Sequence, residues 1–121
     1  MKIRIKGDSV RFRLTRTEVE TFCREGVYSQ QTNFNSTIFN YTLQAKDGID
    51  GLKAEFQDNT ITMFLSKTDT DKWMDEARVG YENDMTLKNG KILHLLLEKD
   101  FICLDETLED QSDNYPNPKN G

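Results

Sequence analysis

The chain has 121 residues and a mass of 14.1 kDa, which suits one domain whose core needs no metal or disulfide. Its 31% of charged residues, net charge of -5 and mean hydropathy of -0.73 predict a strongly solvated surface and weaken long-range attraction to DNA. No stretch reaches the apolar length of a membrane span, and charges occupy the place of a signal peptide's apolar run. We therefore expect a cytoplasmic protein that does not bind membranes.

The N-terminal segment alternates between apolar and basic side chains on both sides of a short turn. Residues 2–6 and 10–14 show the two-residue period of strands, and the turn residues Gly7-Asp8-Ser9 lie between them. This pattern predicts a β-hairpin with one apolar face. The opposite face carries five cations and no acid, and these are the candidate residues of an anion-binding or partner-binding face: Lys2, Arg4, Lys6, Arg11 and Arg13.

A capped helix and a second hairpin follow. Thr15 stands three residues before Glu18, which is the spacing of a capping box, and Gly26 is placed to end the helix. Residues 27–44 predict a second hairpin with its turn in 33–36. Two glycines and two aspartates in residues 45–51 indicate a connection between two halves of the chain.

The same pattern then restarts 51 positions later. When the sequence is aligned with itself at this distance, Phe12 matches Met63 and Phe22 matches Trp73, and Ser66 supplies a second helix cap. Beyond this second helix, an Asn-Gly turn at residues 89–90 predicts the last hairpin. Matching Leu43 with Leu95 in that hairpin makes the distance 52 and implies one inserted residue. Trp73, Met74 and Ala77 are expected to form the apolar side of the second helix.

Each half therefore predicts strand, strand, helix, strand, strand. We expect a mainly β, α+β fold: two fused ββαββ repeats, at about 1–46 and 52–97, forming an antiparallel β barrel or sandwich with two short helices about a pseudo-twofold axis. A single domain would span 1–104, with residues 101–104 extending over the core. Residues 105–121 form an acidic tail with two prolines, a composition typical of disorder or loose docking.

The sequence shows no pattern typical of catalysis. His94, the only histidine, lies between two leucines of a predicted strand, and no partner in the sequence would make it a general base. Cys23 and Cys103 are expected to be reduced thiols. Cys103, His94 and the nearby carboxylates are too few and too widely spaced for structural zinc. We therefore predict no catalytic residue, no metal and no cofactor, and assign no role to His94 or Cys103.

The five cations need an anion nearby, because like charges on neighbouring strands repel each other. Nucleic acid phosphate, an acidic partner protein and the chain's own acidic tail could each supply it, as could surface acids on neighbouring loops. The overall negative charge disfavours nucleic acid.

Two resemblances bear on the function. The basic hairpin with Gly7, Ser9, Arg13 and Leu14 before a capped helix resembles the swapped-hairpin units of AbrB transition regulators and MazE-type antitoxins. That resemblance implies paired units whose first hairpins contact DNA, although the second half lacks a matching basic set. The segment KIRIKGDSVRFRLT, with residues 98–101, Cys103 and residues 116–118, is similar to a family of small uncharacterised bacterial proteins and implies no chemistry.

Together these features predict a non-enzymatic interaction or regulatory module that acts through a surface contact, as a monomer or weak dimer. The alternatives are a DNA-binding regulator or antitoxin of the swapped-hairpin type, and a small-molecule binding protein or enzyme without a recognisable motif.

Overall fold

The computed structural model describes residues 1–101 and 111–116. The elements, in chain order, are β1 (Lys2–Ile5), β2 (Ser9–Leu14), α1 (Arg16–Glu25), β3 (Val27–Asn33), β4 (Ile38–Lys46), β5 (Lys53–Gln57), β6 (Thr60–Ser66), α2 (Lys67–Trp73), β7 (Gly80–Thr86) and β8 (Ile92–Lys99). Neither helix in this part of the chain has the length and hydropathy needed to cross a bilayer.

The strands form two four-stranded sheets, here called sheet A (β1-β2-β8-β7) and sheet B (β5-β6-β4-β3). Each sheet joins the first hairpin of one half to the second hairpin of the other, so the two halves interlock. The prediction of a mainly β, duplicated α+β fold is confirmed. The two sheets share one core and do not close into a barrel.

The prediction of an antiparallel arrangement was wrong for the centre of each sheet, where β2 pairs with β8 and β4 with β6 in parallel. The helices explain this. Each helix connects the end of a strand in one sheet to the start of a strand in the other sheet, and both of these strand termini lie at the same end of the molecule. Strands β2, β4, β6 and β8 therefore all end beside the helices, and the central pairs run in the same direction.

The strand registers show how the two halves correspond. Val10 pairs with Leu95, and Ile61, the counterpart of Val10, pairs with Tyr41. Tyr41 therefore corresponds to Leu95, at a distance of 54 rather than 52. Repeated backbone hydrogen bonds agree, since Ala45 N–H donates to Gly26 O and Lys99 N–H donates to Val79 O, both over 2.8 Å. Relative to the first half, the second half therefore has two additional residues between α2 and β7 and one in the β7–β8 turn.

The core lies between the sheets and beneath both helices. Phe22 of α1 and Trp73 of α2, the predicted equivalent pair, are both fully buried. The second helix is shorter than the first and ends at Trp73. Met74, at 40% exposure, and Ala77 therefore lie outside the helix and are exposed, contrary to the prediction.

Both predicted helix caps are present. Thr15 N–H donates to Glu18 Oε1 over 2.8 Å, and Gly26 ends α1 with a φ of 82°, a conformation that favours glycine. At the second helix, Asp69 N–H donates to Ser66 Oγ over 3.1 Å.

The segment 111–116 docks on the first turn of α1. Asp113 O accepts a hydrogen bond from Arg16 N–H over 2.9 Å, and Asp113 Oδ1 accepts one from the Thr17 hydroxyl over 2.8 Å. Hydrogen bonds from the side chains of Thr15 and Thr17 lower the pKa of the Asp113 carboxyl. The predicted strand extension at 102–104, the acids in 105–110 and the end of the tail at 117–121 lie outside the described residues.

We expect Phe22→Ala and Trp73→Ala each to lower the free energy of unfolding by about 3 to 5 kcal/mol, because each removes a fully buried aromatic group from the shared core. Phe34→Ala, at a turn residue 62% exposed, is the control and should change it by less than about 0.5 kcal/mol. Urea unfolding followed by circular dichroism measures all three. A loss below about 1 kcal/mol for either core variant would contradict a core shared by both halves.

We expect Asp113→Ala to destabilise the fold by about 1 kcal/mol at pH 7, because the carboxylate caps the start of α1. The pKa of Asp113 is lower in the folded chain, so its stabilisation is present above the unfolded pKa of about 3.9 and is lost as pH falls through the folded value. The difference between wild type and variant should therefore shrink in urea titrations at successively lower pH. A difference independent of pH would show that the carboxylate charge is not involved, and Asp50→Ala in the exposed linker serves as control.

Candidate anion-binding face

The outer side of hairpin β1–β2 carries the predicted cations. In its register Lys2 lies opposite Arg13 and Arg4 lies opposite Arg11, so like charges face each other directly. Directly opposed residues have Cβ atoms about 4.5 to 5.5 Å apart, close enough for such pairs to destabilise a hairpin. Lys6 continues the row in the turn. The five predicted residues thus lie together on one surface, here called the basic face: Lys2, Arg4, Lys6, Arg11 and Arg13.

The hairpin tip is held in place by its own turn and by the neighbouring strand. Lys6 N–H donates to Ser9 O over 3.0 Å, and Ser9 N–H donates to Lys6 O over 3.1 Å. Gly7 closes the turn with a φ of 54°. Asp8 O accepts a hydrogen bond from His94 N–H of β8 over 2.8 Å. Four of the five cations therefore lie on strands of sheet A, and Lys6 lies in the hydrogen-bonded turn that joins them.

Acids at the end of β8 neutralise part of the basic face. Glu98 Oε1 lies 3.1 Å from Arg11 Nε and 3.5 Å from Arg13 Nε, although the Arg11 contact lacks the angle of a hydrogen bond. Lys2 Nζ lies 3.1 Å from Oδ2 of the buried Asp100. In the described tail, the acid Asp113 contacts α1 instead of the basic face.

Arg4 and Lys6 have no ion pair with any residue in 1–101 or 111–116. Together with Ser9 and Arg11 they line a surface hollow of about 220 Å³. A neighbouring hollow of about 180 Å³ shares Arg4 and Arg11 and is otherwise lined by Lys2, Ile3 and Arg13. Guanidinium and ammonium groups around a small open hollow are suited to holding a carboxylate or a phosphoryl group.

At the opposite edge of sheet A, the same outer face is acidic. Glu82 and Asp84 of β7 point to the outer face, and His94 Nδ1 lies 2.6 Å from Asp84 Oδ1. This pair was not predicted from the sequence, since it depends on the register of β7 with β8, in which Asp84 lies opposite His94. The outer face of sheet A therefore runs from basic at β1 to acidic at β7.

Ser9, His94 and Asp84 lie in one row across β2, β8 and β7, and they are the residue types of a hydrolase triad. The His94 and Asp84 side chains are 54% and 64% exposed. In the described part of the chain no hydrogen bond joins Ser9 to His94. An exposed histidine that has no hydrogen bond to a nucleophilic side chain does not form an assembled catalytic site.

Sheet B offers an internal comparison. Its hairpin β5–β6 corresponds to β1–β2 at 51 positions, yet Glu55, Gln57 and Thr62 stand where the first hairpin has Arg4, Lys6 and Arg11. Both hairpins adopt the same structure and occupy equivalent places in their sheets. The fold itself therefore does not require the cations.

The surroundings of two other reactive side chains, Cys23 and Lys99, suit a structural role. Burial raises the pKa of the half-buried Cys23 thiol, which makes it a poor nucleophile at neutral pH. The buried Lys99 has a pKa lowered by burial, and its Nζ donates to Glu76 O over 2.6 Å. Residues 1–101 and 111–116 contain no group of three or more side chains placed to hold a metal ion. Cys103 lies outside these residues.

The comparisons with known proteins give one finding. The model of a family described as "Family of unknown function (DUF7009)" matches residues 1–119. No curated protein and no solved structure matches the chain. The resemblance to AbrB regulators and MazE-type antitoxins thus has no support from these comparisons, and a bacterial origin stays a prediction.

We expect Glu98→Gln to delay elution from a heparin column to a higher salt concentration, because it frees Arg11 and Arg13 from their neutralising carboxylate. Glu82→Gln is the matched control: it changes the net charge equally on the same face but breaks no ion pair among the described residues. Equal shifts for the two variants would mean that net charge alone governs retention.

Proposed function

The chain belongs to a family of unknown function, and we propose that it is a non-enzymatic binding module whose basic face holds an anionic segment of a partner protein. One observation carries the proposal. Arg4 and Lys6 lie unpaired within the described chain beside Arg11, on one hairpin of a duplicated fold whose other hairpin has the same structure without these charges.

The position of β1 suits an extended partner. It is an edge strand of sheet A, so the backbone groups on its outer side are not used in a ladder of that sheet. An extended acidic segment could pair along it. Alternate side chains of a strand are about 6.6 to 6.8 Å apart, so acids at every second position would lie beside Lys2, Arg4 and Lys6.

Charged edge strands also protect sheets from aggregation, and that role is the simplest alternative. The equivalent edge strand β5 shows how little charge such protection needs, since it carries Lys53, Glu55 and Gln57 on the corresponding face. Five cations on β1–β2 exceed that requirement. Three of them already have acids at the end of β8, which leaves Arg4 and Lys6 as the sites for an external anion.

A protein partner fits the surface better than DNA does. The net charge is -5, and Glu82 and Asp84 lie on the same outer face as the cations. These acids would repel a long phosphate backbone laid across the sheet but leave a short segment along β1 undisturbed. The interlocked hairpins favour a DNA-binding regulator as the second candidate, yet sheet B lacks the second basic hairpin that such a regulator would use. We place the function in the cytoplasm, in keeping with the free Cys23 thiol.

The test is binding of a fluorescent poly-glutamate peptide, followed by anisotropy at increasing salt. We expect salt-dependent binding that weakens at least about tenfold in the double variant Arg4→Glu/Lys6→Glu. The control Lys46→Glu/Lys53→Glu changes the net charge by the same amount on sheet B and should alter the affinity less than about twofold.

A wild-type protein that does not bind the peptide at low salt would contradict the proposal, as would equal losses in both double variants. A mixed-sequence DNA duplex is titrated in parallel. Tighter binding to DNA than to the peptide, with the same dependence on Arg4 and Lys6, would establish the regulator instead.

A further inference from the structure

The end of the molecule opposite the helices opens into an apolar hollow between the two sheets. Its volume is about 460 Å³, and nine of its ten lining residues are apolar. The turns β1–β2, β3–β4, β5–β6 and β7–β8 all lie at this end, because β2, β4, β6 and β8 all end beside the helices. No described element crosses the opening, here called the mouth.

One related pair of large apolar side chains remains exposed at the mouth. Ile5 and Phe56 line the hollow at 56% and 65% exposure and correspond at 51 positions. Exposed apolar groups gathered around one concave opening, rather than scattered singly, mark an interaction site.

The charges at the two sides of the mouth are opposite. In sheet A the β7–β8 turn carries Lys88 and Lys91, while the β1–β2 turn carries one charge of each sign, Lys6 and Asp8. In sheet B the turns carry Asp58 and no cation, and Glu55 is the one polar residue that lines the hollow. The mouth therefore has a positive lip on sheet A and a negative lip on sheet B.

We propose that a second copy of this chain covers the mouth, with the positive lip of each copy against the negative lip of the other. An apolar centre between lips of opposite charge complements itself when turned by a half rotation, as an isologous contact requires. A small apolar ligand would find no hydrogen-bond donor among the lining side chains, so the lining offers it little orientation. The outer side of β1–β2 stays open in such a dimer, so the proposal does not depend on the function assigned to the basic face.

The first test is sedimentation of the full chain from about 10 to about 500 µM. We expect the mass to rise from 14.1 kDa towards twice that value. Ile5→Ser and Phe56→Ser should each raise the dissociation constant at least about tenfold. Val27→Ser is the matched control, because Val27 is 43% exposed but begins β3 at the helix end, and it should leave the constant unchanged. Circular dichroism shows whether each variant is folded.

The second test exchanges the charges of the lips. Lys91→Glu and Glu55→Lys should each weaken the dimer at low salt, because each variant places like charges together twice in an isologous contact. The double variant, and an equal mixture of the two single variants, should both recover the wild-type dissociation constant.

A chain that stays at 14.1 kDa over the whole concentration range would overturn the proposal. In that event, binding of the apolar dye ANS to wild type but not to Phe56→Ser would assign the mouth to a small ligand. A dimer that Phe56→Ser leaves intact would overturn it as well. If neither the double variant nor the mixture recovers, the assigned orientation of the two copies is wrong.

Discussion

Burial of the inner sheet faces is the constraint on which the rest of this structure depends. A single ββαββ half has two hairpins whose apolar sides it cannot cover alone, because its one helix spans only the end of the strands. The chain solves this by giving each sheet one hairpin from each half, which brings Phe12, Leu43, Met63 and Leu97 into a single core. Parallel central pairs and the placement of all four turns at one end follow from this exchange.

The same exchange separates the surfaces of the molecule by role. The helices and segment 111–116 occupy one end, the mouth the other, and each sheet keeps one outer face in solvent. Duplication makes the two outer faces comparable position by position. Sheet B fills its face with threonines, asparagine and glutamine, whereas sheet A concentrates cations on β1–β2 and acids on β7. Since the equivalent hairpin β5–β6 folds without these cations, the fold does not require them.

Much of this could be predicted from the sequence, because local signals were strong. Two-residue alternation gave the hairpins, and the caps at Thr15 and Ser66 gave the helix starts. The predicted correspondence between the second hairpins of the two halves was wrong by two residues, for a physical reason. A shift of two keeps every inward residue inward, so periodicity cannot distinguish Leu95 from Leu97 as the partner position. Only the hydrogen-bonded register separates them.

The candidate site was predictable only in part. Alternation alone placed the five cations on one face, but it could not show which strand lies beside β2. The neutralising contacts of Glu98 with Arg11 and Arg13 arise from the pairing of β2 with β8, about 85 residues apart in sequence. That pairing also leaves Arg4 on the outer strand β1 and Lys6 in the β1–β2 turn, away from Glu98. The distinction between paired and unpaired cations, on which the proposed function depends, therefore required the three-dimensional structure.

The proposed function is that the basic face, and Arg4 and Lys6 in particular, contacts an anionic partner. Backbone amide shifts recorded by NMR during titration with an acidic peptide test it most directly. We expect shift changes along β1 and β2, centred on Arg4, Lys6 and Arg11, with the equivalent amides of β5 and β6 unchanged. Changes of similar size in both hairpins, or changes confined to sheet B, would contradict it.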